Sequence, residues 1–289
     1  MDRGKEHSNG CDAESARPGP DSLCPRLDWI AWGVPFRLSA SSDALLGRMR
    51  QHLPFGSAEC VLPATQAAAT FSLCPSGNTS GYQILADDRP LSGAQPLDVA
   101  LQQLSSHLTI HVAEFAPDFV FLHAGVVAWQ DRALLLPGFS CAGKSTLVAE
   151  LVRSGATYYS DEFALLDCEG RVHPFPRALQ MRRPGRPGQT DLSLEQLGGQ
   201  VGVEPLPVAL VVFTRFADGA RWTPEALPRG RAVLEMLLHA VPAQRTPARV
   251  LSALTAAVRH AAAYRTMRGE APAAARALLA ALSAGRPLA

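Results

Sequence analysis

No apolar run in this chain reaches the ~20 residues that a membrane-crossing helix requires, because charge or proline interrupts each one first. A membrane-spanning role is therefore not expected. Clustered basic charge is also missing: the formal net charge is +1 and no long Lys/Arg run occurs. That argues against a dedicated nucleic-acid or anionic-lipid surface, since such partners are held through many phosphate contacts. The six cysteines (Cys11, Cys24, Cys60, Cys74, Cys141, Cys168) include no C-x-x-C pair and no Cys/His cluster at zinc spacing. Reduced thiols are expected rather than a disulfide framework or a structural metal. Met1 to Pro25 opens on charges (Asp2, Arg3, Lys5, Glu6) and has no apolar core, so no export signal is expected and a cytoplasmic location is the expectation.

What the chain does have is 289 residues, 47% hydrophobic and 18% charged, enough for one large or two modest domains with real cores. Its most informative stretch is ALLLPGFSCAGKST, starting at Ala133. Gly138, four residues, Gly143, Lys144 and Ser145 match G-x-x-x-x-G-K-[ST] at every position. The glycines let the backbone turn tightly and aim N–H groups at phosphate oxygens, and the following helix brings its positive dipole end to the same point. Lys144 adds a cation for the terminal phosphates, and Ser145 a hydroxyl suited to Mg²⁺. The context is right, with a strand-like run (Ala133 to Leu136) before the motif and an apolar-periodic helix (Leu147, Val148, Leu151, Val152) after it. Cys141, inside the loop and near a helix N-terminus, is the one thiol placed for a lowered pKa and oxidation.

Around this motif the chain divides into three. Residues 1–26 are rich in Asp, Glu, Ser, Gly and Pro and are expected to be disordered. Residues 27–117 read as a small α+β unit: a strand at Trp29 to Leu38, a helix from Ser42 to Leu53, strands at Cys60 to Leu62, Ala69 to Leu73 and Tyr82 to Ala86, and a helix from Leu97 to Glu114. Residues 118–289 read as an α/β nucleotide-binding domain. It should open with strands at Phe119 to Leu122 and Val126 to Trp129, separated by His123, Ala124 and Gly125. The phosphate-loop strand and helix follow, then a short strand from Thr157 to Ser160 that ends in Asp161-Glu162. Carboxylates there can hold Mg²⁺, directly or through water, or accept a hydroxyl proton; a solvated turn is the plain alternative. Arg177 to Gly202, with Arg182, Arg183 and Arg186, reads as an irregular loop that either closes over phosphates or merely connects. Leu206 to Phe216 is an interior strand with Arg215 at its end. The C-terminal helices and the strand at Tyr264 to Arg268 read as scaffold.

Leu197-Gly198-Gly199-Gln200 shares four residues with the signature of ABC-type ATPases, but the apolar strand after it ends Phe213-Thr214-Arg215 rather than in Asp-Glu. No Asn-Lys-x-Asp sequence supports a GTPase reading.

The segment Phe121 to Asp167 resembles the C-terminal catalytic domain of the HPr kinase/phosphorylase family. The resemblance rests on His123-Ala124-Gly125 just before a hairpin into the loop, on the S-x-x-G-K-[ST] form of Ser140 to Ser145, and on the acidic pair after the next strand. It implies a P-loop α/β fold using ATP and Mg²⁺, with relatives that often form homo-oligomeric rings. It also implies that Gly138, Ser140, Cys141, Ala142, Gly143, Lys144, Ser145 and Thr146 hold the nucleotide phosphates. Ser145, Asp161 and Glu162 would serve the metal, Asp161 would be the base for an acceptor hydroxyl, and His123 would contact the phosphate being moved. The chain has Asp161-Glu162 where the family usually has Asp-Asp, and it lacks the later glycine-rich signature of the bifunctional members. The expected activity is phosphoryl transfer from ATP to a hydroxyl of a protein, peptide or small molecule. A nucleotide-gated regulatory protein without phosphotransfer is the alternative, and simple ATP hydrolysis a third.

Overall fold

Trp32 and Gly33 both adopt left-handed backbone (φ 50° and 80°), and this tight turn splits the strand expected over Trp29 to Leu38 into a hairpin, β1 (Arg26–Ala31) and β2 (Val34–Ala40). The computed structural model describes residues 24–63, 65, 66, 68–77, 81–139, 142–182, 189–284 and 288. The expectation for residues 1–26 thus lies almost wholly outside the described residues, as do Cys11, Ser140, Cys141, Arg183 and Arg186.

After the hairpin come α1 (Asp43–Arg50), β3 (Ser57–Cys60), β4 (Ala69–Pro75), β5 (Tyr82–Ala86), β6 (Arg89–Pro90) and α2 (Leu97–Phe115). Ser42 caps α1 by accepting a hydrogen bond from the Leu45 amide, and the helix ends at Arg50, short of the expected Leu53. The strands form one sheet in the order β3-β1-β2-β4-β5-β6. Leu101, Leu104, Leu108 and Val112 repeat at helical spacing on α2 and are buried together with Phe36, Leu38, Phe71, Leu73 and Ile84 of the sheet. Phe121, Phe163, Leu165 and Phe175 belong to the same cluster, so one hydrophobic core runs across the expected boundary at residues 117–118. Trp32 helps to join the halves, lying edge-on to Phe119 at 5.1 Å while its indole N–H donates to the Phe55 carbonyl.

The second sheet contains β7 (Val120–Trp129), β8 (Arg132–Pro137), β9 (Thr157–Ser160), β10 (Phe163–Leu166), β11 (Arg171–His173), β14 (Leu206–Phe216), β15 (Glu225–Ala226) and β16 (Ala262–Arg268). Its order is β11-β10-β7-β8-β14-β16-β15, with β9 also on β7 and β11 returning to pair with β14. The helices are α3 (Lys144–Arg153), α4 (Arg229–Leu237), α5 (Pro247–Ala257) and α6 (Ala271–Ala284). Strand alternation sorts them into layers. Leu134, Leu136 and Val212 face α3 and α6, whereas Leu135, Val211 and Phe213 face α4 and α5. The sheet is thus covered on both faces, which is why β8 and β14 read as unbroken apolar runs.

Two further expectations are corrected. His123, Ala124 and Gly125 do not separate two strands; they lie inside β7, their backbone paired with the neighbouring strands. The stretch from Arg177 to Gly202 is not irregular throughout, since β12 (Leu179–Arg182) and β13 (Gln189–Leu192) form a hairpin followed by a short 3₁₀ turn at Glu195–Leu197. Leu179 and Leu197 bury themselves against the α3 face, a tertiary gain that local composition does not report. Among the described residues no helix is long and apolar enough to cross a membrane.

Candidate functional site

β8, β14 and β16 run parallel, so their carboxyl ends, at Pro137, Phe216 and Arg268, meet at one edge of the sheet. In α/β sheets that edge is where ligands bind. The glycine-rich loop leaves β8 there and enters α3. Gly143 holds φ +84° as the residue preceding the helix, a conformation that suits glycine and turns the first helical amides outward. Lys144 is buried, and its Nζ donates to the carbonyls of Gly138 (2.7 Å) and Phe139 (2.8 Å), folding the side chain back into the loop. Ser145 and Thr146 lie in the first turn of α3, half-buried and exposed respectively. Gly138 donates to the His123 carbonyl (3.3 Å), and the Ala142 carbonyl accepts from the Phe216 amide (3.2 Å).

The acidic pair arrives from the other flank. β9 and β10 run along β7 as one interrupted strand, with Val126 opposite Ser160 and His123 opposite Phe163, so the register sets Asp161 and Glu162 across from Gly125 and Ala124. Gly125 is needed for close approach: a Cβ there would lie 2.7 Å from Val148 Cγ2 on α3 and 3.9 Å from Lys144 Cβ. The helix after the glycine-rich loop, α3, therefore rests on the strand opposite Asp161. The Ser160 hydroxyl fixes the junction by accepting from the Glu162 (3.2 Å) and Phe163 (3.1 Å) amides.

Glu162 divides its functions. Its carboxylate is ion-paired with Arg177, whose own carbonyl accepts from the Tyr158 hydroxyl at 2.8 Å. Its carbonyl accepts from the Ala124 amide (3.1 Å) and from Nδ1 of His123 (2.9 Å), which leaves Nε2 as the acceptor of that ring. Burial, then the charge of Lys144, lowers His123 to about 4, against the weaker raising effect of the Glu162 carbonyl. His123 is therefore neutral at physiological pH.

This shift has a sign that can be checked. Because the folded value lies below the unfolded one of about 6.5, the unfolded chain binds more protons between about pH 6.5 and 4. The stabilisation is complete above that window and is lost as pH falls through it, by on the order of 2 kcal/mol at pH 5 as an upper bound. Urea unfolding should show a steeper loss between pH 7 and pH 5 for the wild type than for His123→Gln. Equal losses would remove His123 from the acid response.

Sequence reasoning missed Arg268. The residue sits at the end of a strand read as scaffold, yet it is 1% exposed, and its Nη2 donates to the Gly143 carbonyl at 2.6 Å. Nη1 donates to the Gly269 carbonyl at 2.9 Å, and the guanidinium lies 5.4 Å from the Phe216 ring centroid. Burial lowers its pKa, with only Glu270 opposing. The one available signal was an arginine ending a strand beside a glycine, which carries little without knowing that β16 is parallel to β14. Arg177 was equally hidden.

Among the described residues no group of three or more His, Cys, Asp or Glu side chains could hold a metal ion. The donors expected for a metal, the Ser145 hydroxyl and the Asp161 carboxylate, are both oxygen groups, a hard set that would suit Mg²⁺ shared with phosphates. The chain matches no protein-family model and no curated protein.

Proposed function

We propose that the chain is a Mg·ATP-dependent phosphotransferase of HPr-kinase-like P-loop fold, moving a phosphoryl group onto a hydroxyl, with a serine of a protein or peptide as acceptor. The observation that carries this reading is the joint placement of Gly143 and Lys144 at the N-terminus of α3, directly over the strand that faces Asp161. The amides at the start of α3 and the Lys144 ammonium would neutralise charge on the nucleotide phosphates. Asp161 would take the proton from the attacking hydroxyl, and His123, neutral with Nε2 as an acceptor, would orient a group in the same space. Ser145 and Asp161 would hold Mg²⁺. When bound, the ion would supply Lewis-acid stabilisation of the transferring phosphate.

Calorimetric titration with Mg·ATP tests the nucleotide site. The wild type should bind in the micromolar range, and Lys144→Ala should weaken binding by at least ~10-fold through loss of a charge-assisted contact. Absence of binding in both proteins would withdraw the proposal.

The ion pair of Glu162 with Arg177 favours a second reading, a nucleotide-gated regulatory protein in which this carboxylate is structural. Such a protein would change protease sensitivity on binding ATP and release no ADP when acceptors are added; a kinase would release it.

A further inference from the structure

Beside the phosphate loop, between α4 and the carboxyl ends of β14 and β16, lies a pocket of about 650 Å³. Its volume falls in the ~300–1,000 Å³ range of small-molecule sites. It touches the loop through Gly138, Phe139 and Ala142, while Asp161, Glu162 and His123 do not line it. A ligand in this pocket would therefore contact the loop at Gly138, Phe139 and Ala142 without touching the proposed base. We infer that it receives the nucleoside of the nucleotide, a purine ring by its lining, an inference that rests on the phosphotransferase reading above.

Three features of the lining carry this. Its lining mixes apolar and polar side chains and includes one exposed aromatic: Phe139, 65% exposed, packs edge-on against His239 at 4.4 Å, with Phe213 and Met267 also lining the pocket. Flat rings of a base suit such surfaces. Next, Thr214 is only 6% exposed, lines the pocket, and its Oγ1 has no hydrogen-bond partner among the described residues. A buried hydroxyl without a partner is costly, and a ligand edge would satisfy it. Nδ1 of His239 is likewise buried without a partner among the described residues. Burial, then the charge of Lys144, lowers the pKa of His239, so at neutral pH its ring can offer one donor and one acceptor. Finally, Arg265, ion-paired with Glu235 of α4, bounds the same space and leaves the pocket a polar rim.

An acceptor confined to this pocket would not touch Asp161, because neither acidic residue of the junction borders it. The phosphates, by contrast, need only extend from the pocket along the loop that forms its wall.

The test compares Mg·ATP with magnesium tripolyphosphate on the full chain by calorimetry. Thr214→Val keeps the shape of the side chain and removes the hydroxyl. Met267→Trp, at a side chain 43% exposed, narrows the pocket from its rim. Thr214→Val should weaken ATP binding ~5–10-fold, the worth of one hydrogen bond. Met267→Trp should weaken it by at least ~10-fold through crowding. Neither should change tripolyphosphate affinity more than about twofold. Wild-type ATP affinity in both variants would overturn the inference, as would equal losses for both ligands. A wild type that binds tripolyphosphate as tightly as ATP would also overturn it while leaving the phosphate site standing. A wild type that binds neither would remove the phosphotransferase reading and this inference with it.

Discussion

Asp161→Asn is expected to lower phosphotransfer by ~10²–10⁴-fold, the usual contribution of a positioned general base, while nucleotide affinity stays within a few-fold. The substitution keeps size and hydrogen-bonding capacity but cannot take a proton. Because the Ser160 hydroxyl and the β7 register set the backbone at this junction, the variant should keep its local shape. The measurement is ADP release in the presence of serine-containing peptides, paired with calorimetric affinity for Mg·ATP. Retained turnover would remove Asp161 from the mechanism. A parallel collapse of ATP affinity would instead make its main contribution metal binding rather than proton transfer.

Gly143→Ala should be the most damaging single-methyl change in the loop. An alanine at φ +84° is strained by ~1–2 kcal/mol, and its Cβ would stand 2.7 Å from Arg268 Nη2 and 3.2 Å from Phe216 Cβ. Either the guanidinium gives way, losing its 2.6 Å bond to the Gly143 carbonyl, or the loop lifts from the end of β14. Both outcomes spoil the aim of the first α3 amides, and ATP affinity should fall ~10–100-fold. Calorimetry on Gly143→Ala, Arg268→Ala and the double variant separates the two causes. If collision dominates, the double variant binds better than the sum of the single losses allows; strict additivity would leave backbone strain as the whole effect.

How much of this was legible in the residues differs from element to element. β5, β14 and α2 are readable within a residue or so, because alternation or an unbroken apolar run, with Pro and Gly punctuation, marks them locally. The Trp32-Gly33 turn was not legible, since tryptophan is a poor candidate for left-handed backbone. Its conformation accompanies packing on Phe119, Phe121 and Phe175, residues 87 or more positions away. The His123-Ala124-Gly125 segment read as a break, and a glycine in a strand interior ordinarily weakens it. Here it admits Val148 of α3 at close range, a tertiary reason that no local pattern carries.

The sequence by itself determined the glycine-rich loop with its strand and helix, and the acidic pair after the next strand, since each depends on residue types at short, fixed spacing. Only the tertiary structure decided that Asp161 faces Gly125, that the Glu162 carboxylate is held by Arg177, and that Arg268 grips the loop from a strand 125 residues downstream. These are consequences of strand register and parallel sheet order. Both are set by burying apolar faces across the whole domain, so no local stretch of sequence could specify them.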